Sequence, residues 1–220
     1  MTEPARIARR ISSLCTGFLN PRYTKSKLRT DPLYEGVHRE LETSPFPLLD
    51  IGCGLGLLAM YLRERGWENA VSGFDYDRSK IVSGRAMIER GGYQNISLHQ
   101  GDARIELPDH QGDVTILDIL QFFDAAEQTI LLRAAAARVA PGGQLIVRSC
   151  LRENNGRFFT TLVGDLIAKW TFWMKAAPVH YPTGGFFRQV LESEGFTVEI
   201  RPFWGKTPFN NYIILAKHPG

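Results

Sequence analysis

The chain has 220 residues, a formal net charge of +3, 44% hydrophobic and 22% charged residues. That composition suits a soluble globular protein with a sizeable core, and the net charge is too small to name a polyanionic partner. The most apolar stretch, "TLVGDLIAKWTFWMK", is interrupted by Asp165 and Lys169 and is too short for a membrane span.

Cys15, Cys53 and Cys150 are far apart, odd in number and in no metal-ligand spacing, which predicts reduced thiols in a cytoplasmic protein and no metal site. The basic start, "ARIARRISSLCTGFLN", lacks the unbroken apolar core of a secretory signal. Its Ile7, Ile11, Leu14 and Phe18 fall three or four apart, predicting an amphipathic helix over 5–19. Charge is uneven: Arg6, Arg9, Arg10, Arg22, Lys25, Lys27 and Arg29 face Glu3 alone in the first thirty residues, and such an arm either attracts phosphates or anionic lipid or is simply a solvated face. A polar, proline-punctuated stretch to Pro45 predicts one or two short helices, so that 1–45 form a helical cap on a core of 46–220.

From residue 46 the rhythm changes. "FPLLDIG" predicts a buried strand and "GLLAMYLRERG" a helix closed by Gly66; "AVSGFD" predicts a second strand and "DRSKIVSGRAMIERGG" a second helix with Asp77 as N-cap. "NISLHQGD" and "GDVTILD" read as strands three and four. In "DAAEQTILLRAAAARVAPGG", Asp124 and Glu127 stand at capping-box spacing and "PGG" ends the helix. "QLIVRSC" is strand five. Residues 151–182 predict a helical, lid-like insertion. "GGFFRQVLESEG" then predicts a helix, and "FTVEIRPFWGKTPFNNYIILAKH" a hairpin. Alternating strand and helix predict an α/β, doubly wound, mostly parallel seven-stranded sheet with an antiparallel strand in its C-terminal hairpin.

Gly52, Gly54 and Gly56 follow the first strand, where bare backbone invites close approach of a ligand. The spacing is G-x-G-x-G, and the third glycine of a dinucleotide fingerprint is replaced by Leu57, which disfavours a nicotinamide cofactor. Asp75 closes the second strand, where an acid accepts from ribose hydroxyls, and Asp102 follows the third in "QGDA". Each acid alone is as well read as a turn residue or helix cap.

Taken together, "LLDIGCGLG", "GFDYD", "QGDA", "DVTILDIL" and "APGGQLIV" resemble the class I S-adenosylmethionine-dependent methyltransferases over 46–149, and the terminal hairpin agrees with that family's Rossmann-like fold. The resemblance implies S-adenosyl-L-methionine as cofactor, its methionine end against Gly52, Cys53, Gly54 and Gly56 with Asp50 nearby. It implies Asp75 on the ribose, Tyr76 beside the adenine, Gly101, Asp102 and Ala103 toward the adenine edge, and Asp118 near the methyl group. "TKSKLRTDPLY" and "PFWGKTPFNNY" further resemble small-molecule methyltransferases of bacterial aryl-polyene and pigment pathways, implying an aromatic head group as acceptor.

The acceptor is expected beyond strands four and five. Asp118 and Gln121 lie there, Gln121 at a position where many small-molecule members carry His. Gln cannot act as a base; His180 and Tyr181, in "APVHYPTGG", are candidates for that role, against a structural reading of both. Arg148 would pair with a substrate carboxylate or phosphate, or else with Asp118. Tyr23, Phe158 and Trp170 are candidate substrate contacts, the last two in an aromatic insertion that suits a lid, a homodimer contact or a peripheral membrane contact. The acceptor is expected to be a hydroxylated small molecule, free or carrier-bound, methylated on oxygen or carbon. Nucleic acid is disfavoured because "LDIL" stands where base amino-group methyltransferases carry Asn/Asp-Pro-Pro-Tyr, but the basic arm keeps RNA as an alternative, alongside a non-catalytic cofactor-binding module.

Overall fold

The computed structural model describes residues 2–16, 21–153, 156–160, 178–205 and 207–220. Seven strands form one sheet in the order β3-β2-β1-β4-β5-β7-β6. The neighbours β1–β2, β2–β3 and β4–β5 pair in parallel, and β7 runs antiparallel to both β5 and β6. The predicted α/β class and the antiparallel terminal strand are both present. Contacts divide the chain into two compact units, Met1–Glu106 and Leu107–Gly220.

The first unit holds α1 (Glu3–Ser13), α2 (Pro21–Thr30), α3 (Leu33–Leu41), β1 (Leu48–Ile51), α4 (Leu57–Glu64), β2 (Val71–Asp75), α5 (Arg78–Gly91) and β3 (Ile96–Gln100). Helix α1 stops at Ser13, short of the expected residue 19, where the Ser12 and Ser13 hydroxyls bond back to the carbonyls of Arg9 and Arg10. Such back-bonding competes with continuation of the helix. Within this unit Glu64 of α4 fastens α1. Its side chain is 8% exposed, takes Arg10 at 2.6 Å and Arg6 at 3.3 Å, and accepts the Tyr93 hydroxyl at 2.8 Å. This pairing raises the Arg10 pKa, chiefly through the hydrogen bond to Glu64. Two arginines of the basic arm therefore pair with an acid of the same unit at its surface.

Helix α5 starts and stops as predicted. The Asp77 carboxylate accepts the Ser79 amide at 3.0 Å, and Gly92 closes the helix with φ +68°. Central β1 is buried along its whole length, as a strand covered on both faces requires.

The second unit holds β4 (Asp113–Leu117), a 3-10 turn (Leu120–Phe122), α6 (Ala125–Ala136), β5 (Gln144–Cys150), a helical segment at 156–160, α7 (Gly184–Ser193), β6 (Thr197–Pro202) and β7 (Asn211–Lys217). The capping box at Asp124 and Glu127 is present. Helix α6 ends at Ala136, before the predicted "PGG", because Arg138 and Ala140 turn to Gly112: the Gly112 amide donates to Arg138 and the Ala140 amide to the Gly112 carbonyl. Most of the insertion expected at 151–182, with Trp170, lies outside the described residues. Among the described residues no helix is long and apolar enough to cross a membrane.

Candidate functional site

In the first unit the chain leaves β1 through a turn that L-residues with side chains resist. Gly52, Gly54 and Gly56 have φ of 80°, 57° and 71°. The turn is anchored to β2, since the Gly52 and Cys53 amides donate to the Phe74 carbonyl at 2.7 and 3.1 Å. Asp75 then clamps it: one carboxylate oxygen accepts the Gly54 amide at 2.9 Å and the other the Asp77 amide at 2.8 Å. Asp75 is only 6% exposed.

The residues fit a nucleoside sulfonium. A carboxylate has about four acceptor positions, and the two backbone bonds leave room for ribose hydroxyls. A Cβ added at Gly54 would meet only the end of Lys80, at 3.9 Å, so the main chain there is open to a ligand. The neighbouring Tyr76 ring is 52% exposed and available to an adenine face. Asp50 is buried at 3% below the turn. Asp102 is partly exposed, and its carboxylate accepts the Arg104 amide at 2.9 Å in the turn that carries Gly101 and Ala103.

The Cys53 side chain turns away from the open edge of the turn. A Cβ at Gly73 would lie 2.8 Å from its sulfur, so the side chain packs down against β2 and leaves only the Cys53 main chain for a ligand. Burial, aided by the Asp50 and Asp75 charges, pushes the thiol pKa far up, so it stays protonated.

In the second unit the carboxyl ends of β4 and β5 meet at Asp118. This residue has φ 61°, a conformation non-glycine residues rarely hold. Two residues, Arg148 and Gln121, hold it there. Its amide donates to the Arg148 carbonyl at 3.0 Å, its carboxylate receives Arg148 Nε at 2.7 Å together with Nη2, and its carbonyl accepts Gln121 Nε2 at 3.0 Å. Arg148 is 3% exposed with its fork on Asp118. Of the two roles read from sequence, the ion pair is the one present. The reason is position: on a strand whose residues are all buried, a guanidinium needs an internal carboxylate.

Gln121 also receives the Val179 amide at 2.7 Å and the His180 amide at 3.3 Å on its carbonyl, while buried Gln128 donates to the His180 carbonyl at 3.0 Å. Gln121 thus brings His180 beside β4 through main-chain bonds. Tyr181 meets Phe158 edge-on, ring centroids 5.4 Å apart. Tyr23 belongs to α2 in the first unit, its ring 42% exposed.

Sequence reasoning missed a polar cluster where β5 ends and β7 begins. Glu153 Oε2 accepts the Tyr212 hydroxyl at 2.9 Å and Asn210 Nδ2 at 3.3 Å. Burial first, then this bond to Glu153, pushes the Tyr212 phenol up to about 12, so it is a hydrogen-bond donor at neutral pH. Trp204 stands edge-on to Tyr212 at 6.1 Å, and the Arg157 guanidinium lies 4.4 Å over the Trp204 ring. The stretch "PFWGKTPFNNY" reads as part of the hairpin and of the resemblance to pigment-pathway methyltransferases, with no partner for Glu153 in view.

Sheet order, a glycine turn after the first strand and an acid on the second strand that clamps it define the class I methyltransferase fold. Residues 48–143 match the family described as "Methyltransferase domain", the class whose cofactor is S-adenosylmethionine. Magnesium protoporphyrin IX methyltransferase from Synechocystis, solved with S-adenosylhomocysteine, has the same fold, with a TM-score of 0.68 at 19% identity over 97% of this chain and 93% of that one. A ribosomal protein L11 methyltransferase from Xanthomonas campestris is 28% identical over 134 residues, 61% of this chain and 39% of that one. A ubiquinone biosynthesis O-methyltransferase from Acinetobacter baumannii is 24% identical over 123 residues, 56% and 51% of the two chains. The chain matches between two fifths and half of the length of these two curated relatives.

Proposed function

We propose that the whole protein is an S-adenosylmethionine-dependent methyltransferase acting on a small, aromatic or acyl-linked hydroxylated acceptor, free or carrier-bound. The observation that carries this reading is the glycine turn with its amide locked onto Asp75, which presents bare main chain and a carboxylate together. Relatives named for small-molecule O-methylation, and the resemblance to aryl-polyene and pigment methyltransferases, support the acceptor class.

When bound, the cofactor supplies an electrophilic methyl group. The chain's own tasks are to fix the acceptor, exclude water and take a proton. Gly54 and Asp75 orient the nucleoside end, and Tyr76 covers the adenine. Asp118, held rigid by Arg148, sets the corner from which Gln121 and His180 face the acceptor. Proton acceptance falls to His180 or to Glu153, the latter held in place by the Tyr212 hydroxyl that donates to it. Phe158, Tyr181 and Trp204 supply ring faces for a flat acceptor.

The RNA alternative is weakened, because Arg6 and Arg10 share Glu64, whose charge offsets one of the two. The test is mass spectrometry of methyl transfer to a panel of hydroxylated aromatic acids, free and carrier-bound, with calorimetry of S-adenosylhomocysteine binding. Binding with transfer to a phenolic member supports the proposal. Binding without transfer to any substrate makes the chain a cofactor-binding module, and no binding removes the methyltransferase reading.

A further inference from the structure

Positive charge is not spread over this molecule. Helix α2, "PRYTKSKLRT", carries Arg22, Lys25, Lys27 and Arg29 and no acid. These ten residues thus hold four of the chain's 26 cations and none of its 23 acids. Arg22, Lys25, Ser26 and Arg29 follow the i, i+3, i+4, i+7 pattern of one helix face and all are exposed. Among the described residues Lys25 and Arg29 have no ion pair. Asp31, the acid just past the helix, accepts the Leu33 amide at 3.0 Å.

The helix has also used its apolar residue: Leu28 and the neighbouring Thr24 are each 2% exposed. It therefore cannot sink into hydrocarbon as an amphipathic anchor does. What remains is a convex cationic face about 15 Å long, with the Tyr23 ring 42% exposed at its rim. A polynucleotide needs a groove or stacking platform that follows its strand, and one convex helix offers neither. A planar array of anionic headgroups meets such a face along its whole length, with a tyrosine at the depth these rings favour.

We infer that the solvent face of α2 docks the protein, electrostatically and reversibly, onto an anionic lipid surface. Each Lys or Arg near such a surface contributes a comparable increment, and Arg22, Lys25 and Arg29 are the three that this face presents. The inference does not rest on methyl transfer, and its test uses no cofactor.

The full chain is sedimented with vesicles of phosphatidylcholine and with vesicles in which phosphatidylglycerol replaces a third of it. Binding is expected only to the second, and is lost as salt rises. The Lys25→Gln/Arg29→Gln variant touches exposed side chains only, so its melting temperature stays that of the parent, while its affinity for the acidic vesicles falls roughly thirtyfold. Equal binding to both vesicles, no binding to either, or unchanged binding by the variant overturns the proposal. So does tight, salt-sensitive binding of single-stranded RNA with no uptake onto vesicles, which assigns the face to nucleic acid.

Discussion

The Asp75 carboxylate accepts the Gly54 amide at 2.9 Å, so an acid on the second strand holds the shape of the turn that follows the first. One side chain therefore serves both the architecture of the turn and the ribose proposed to lie on it. Asp75→Ala is expected to weaken S-adenosylhomocysteine binding by about 1.5–3 kcal/mol, roughly ten- to a hundredfold. Asp75→Asn, which keeps an acceptor oxygen, should lose less. Isothermal calorimetry checks both, and loss of the Gly54 amide's protection from hydrogen exchange in Asp75→Ala would separate the structural half of the role.

Arg148 and Asp118 form one unit in which a buried cation holds a strained acid. Replacing Arg148 by Met is expected to cost about 2–4 kcal/mol, because it strands a partly buried carboxylate. Adding Asp118→Asn should recover part of that loss, since Asn tolerates positive φ and carries no charge. Denaturant unfolding of the two singles and the double gives the coupling, and simple additivity would contradict the pairing.

Glu64 is where the N-terminal helix is fastened. Glu64→Gln is expected to cost about 1–3 kcal/mol, because the cations of α1 and the Tyr93 hydroxyl lose a charged acceptor. Hydrogen exchange should report the loss first in α1, with β1 and β2 little changed. A uniform loss across the first unit would show that α1 is not separately anchored.

His38 is 3% exposed, and burial, reinforced by the Arg65 charge, lowers its pKa below the ordinary 6.5. The unfolded chain then binds a proton more readily than the folded one. Stability contributed by neutral His38 is fully present above pH 6.5 and is lost as pH falls through the lower folded value. The melting temperature should decline over that window, and His38→Gln should flatten this part of the profile.

Glu153→Gln and Tyr212→Phe should each lower kcat on a phenolic acceptor. If Glu153 is the proton acceptor, its variant loses far more kcat than Tyr212→Phe, which removes only the bond that positions the carboxylate. An unchanged kcat in Glu153→Gln leaves proton transfer to His180.

The strand-helix alternation, the caps at Asp77 and Asp124 and the glycine turn were legible in the sequence because local chemistry decides them. Capping residues act within three positions, and a positive φ selects glycine wherever it occurs. Asp75 was legible as the acid that closes the second strand, but its grip on Gly54, 21 residues away, was not. Arg148 and Asp118 were readable only as two alternatives, and the cluster of Glu153, Asn210 and Tyr212 was not readable at all. These partners lie 30 and nearly 60 residues apart, and strand pairing alone brings them together. The sequence by itself therefore determined which elements form and where the bare glycine turn falls. Only the tertiary structure decided which charges neutralise one another, because an ion pair depends on distance in space and leaves no period along the chain.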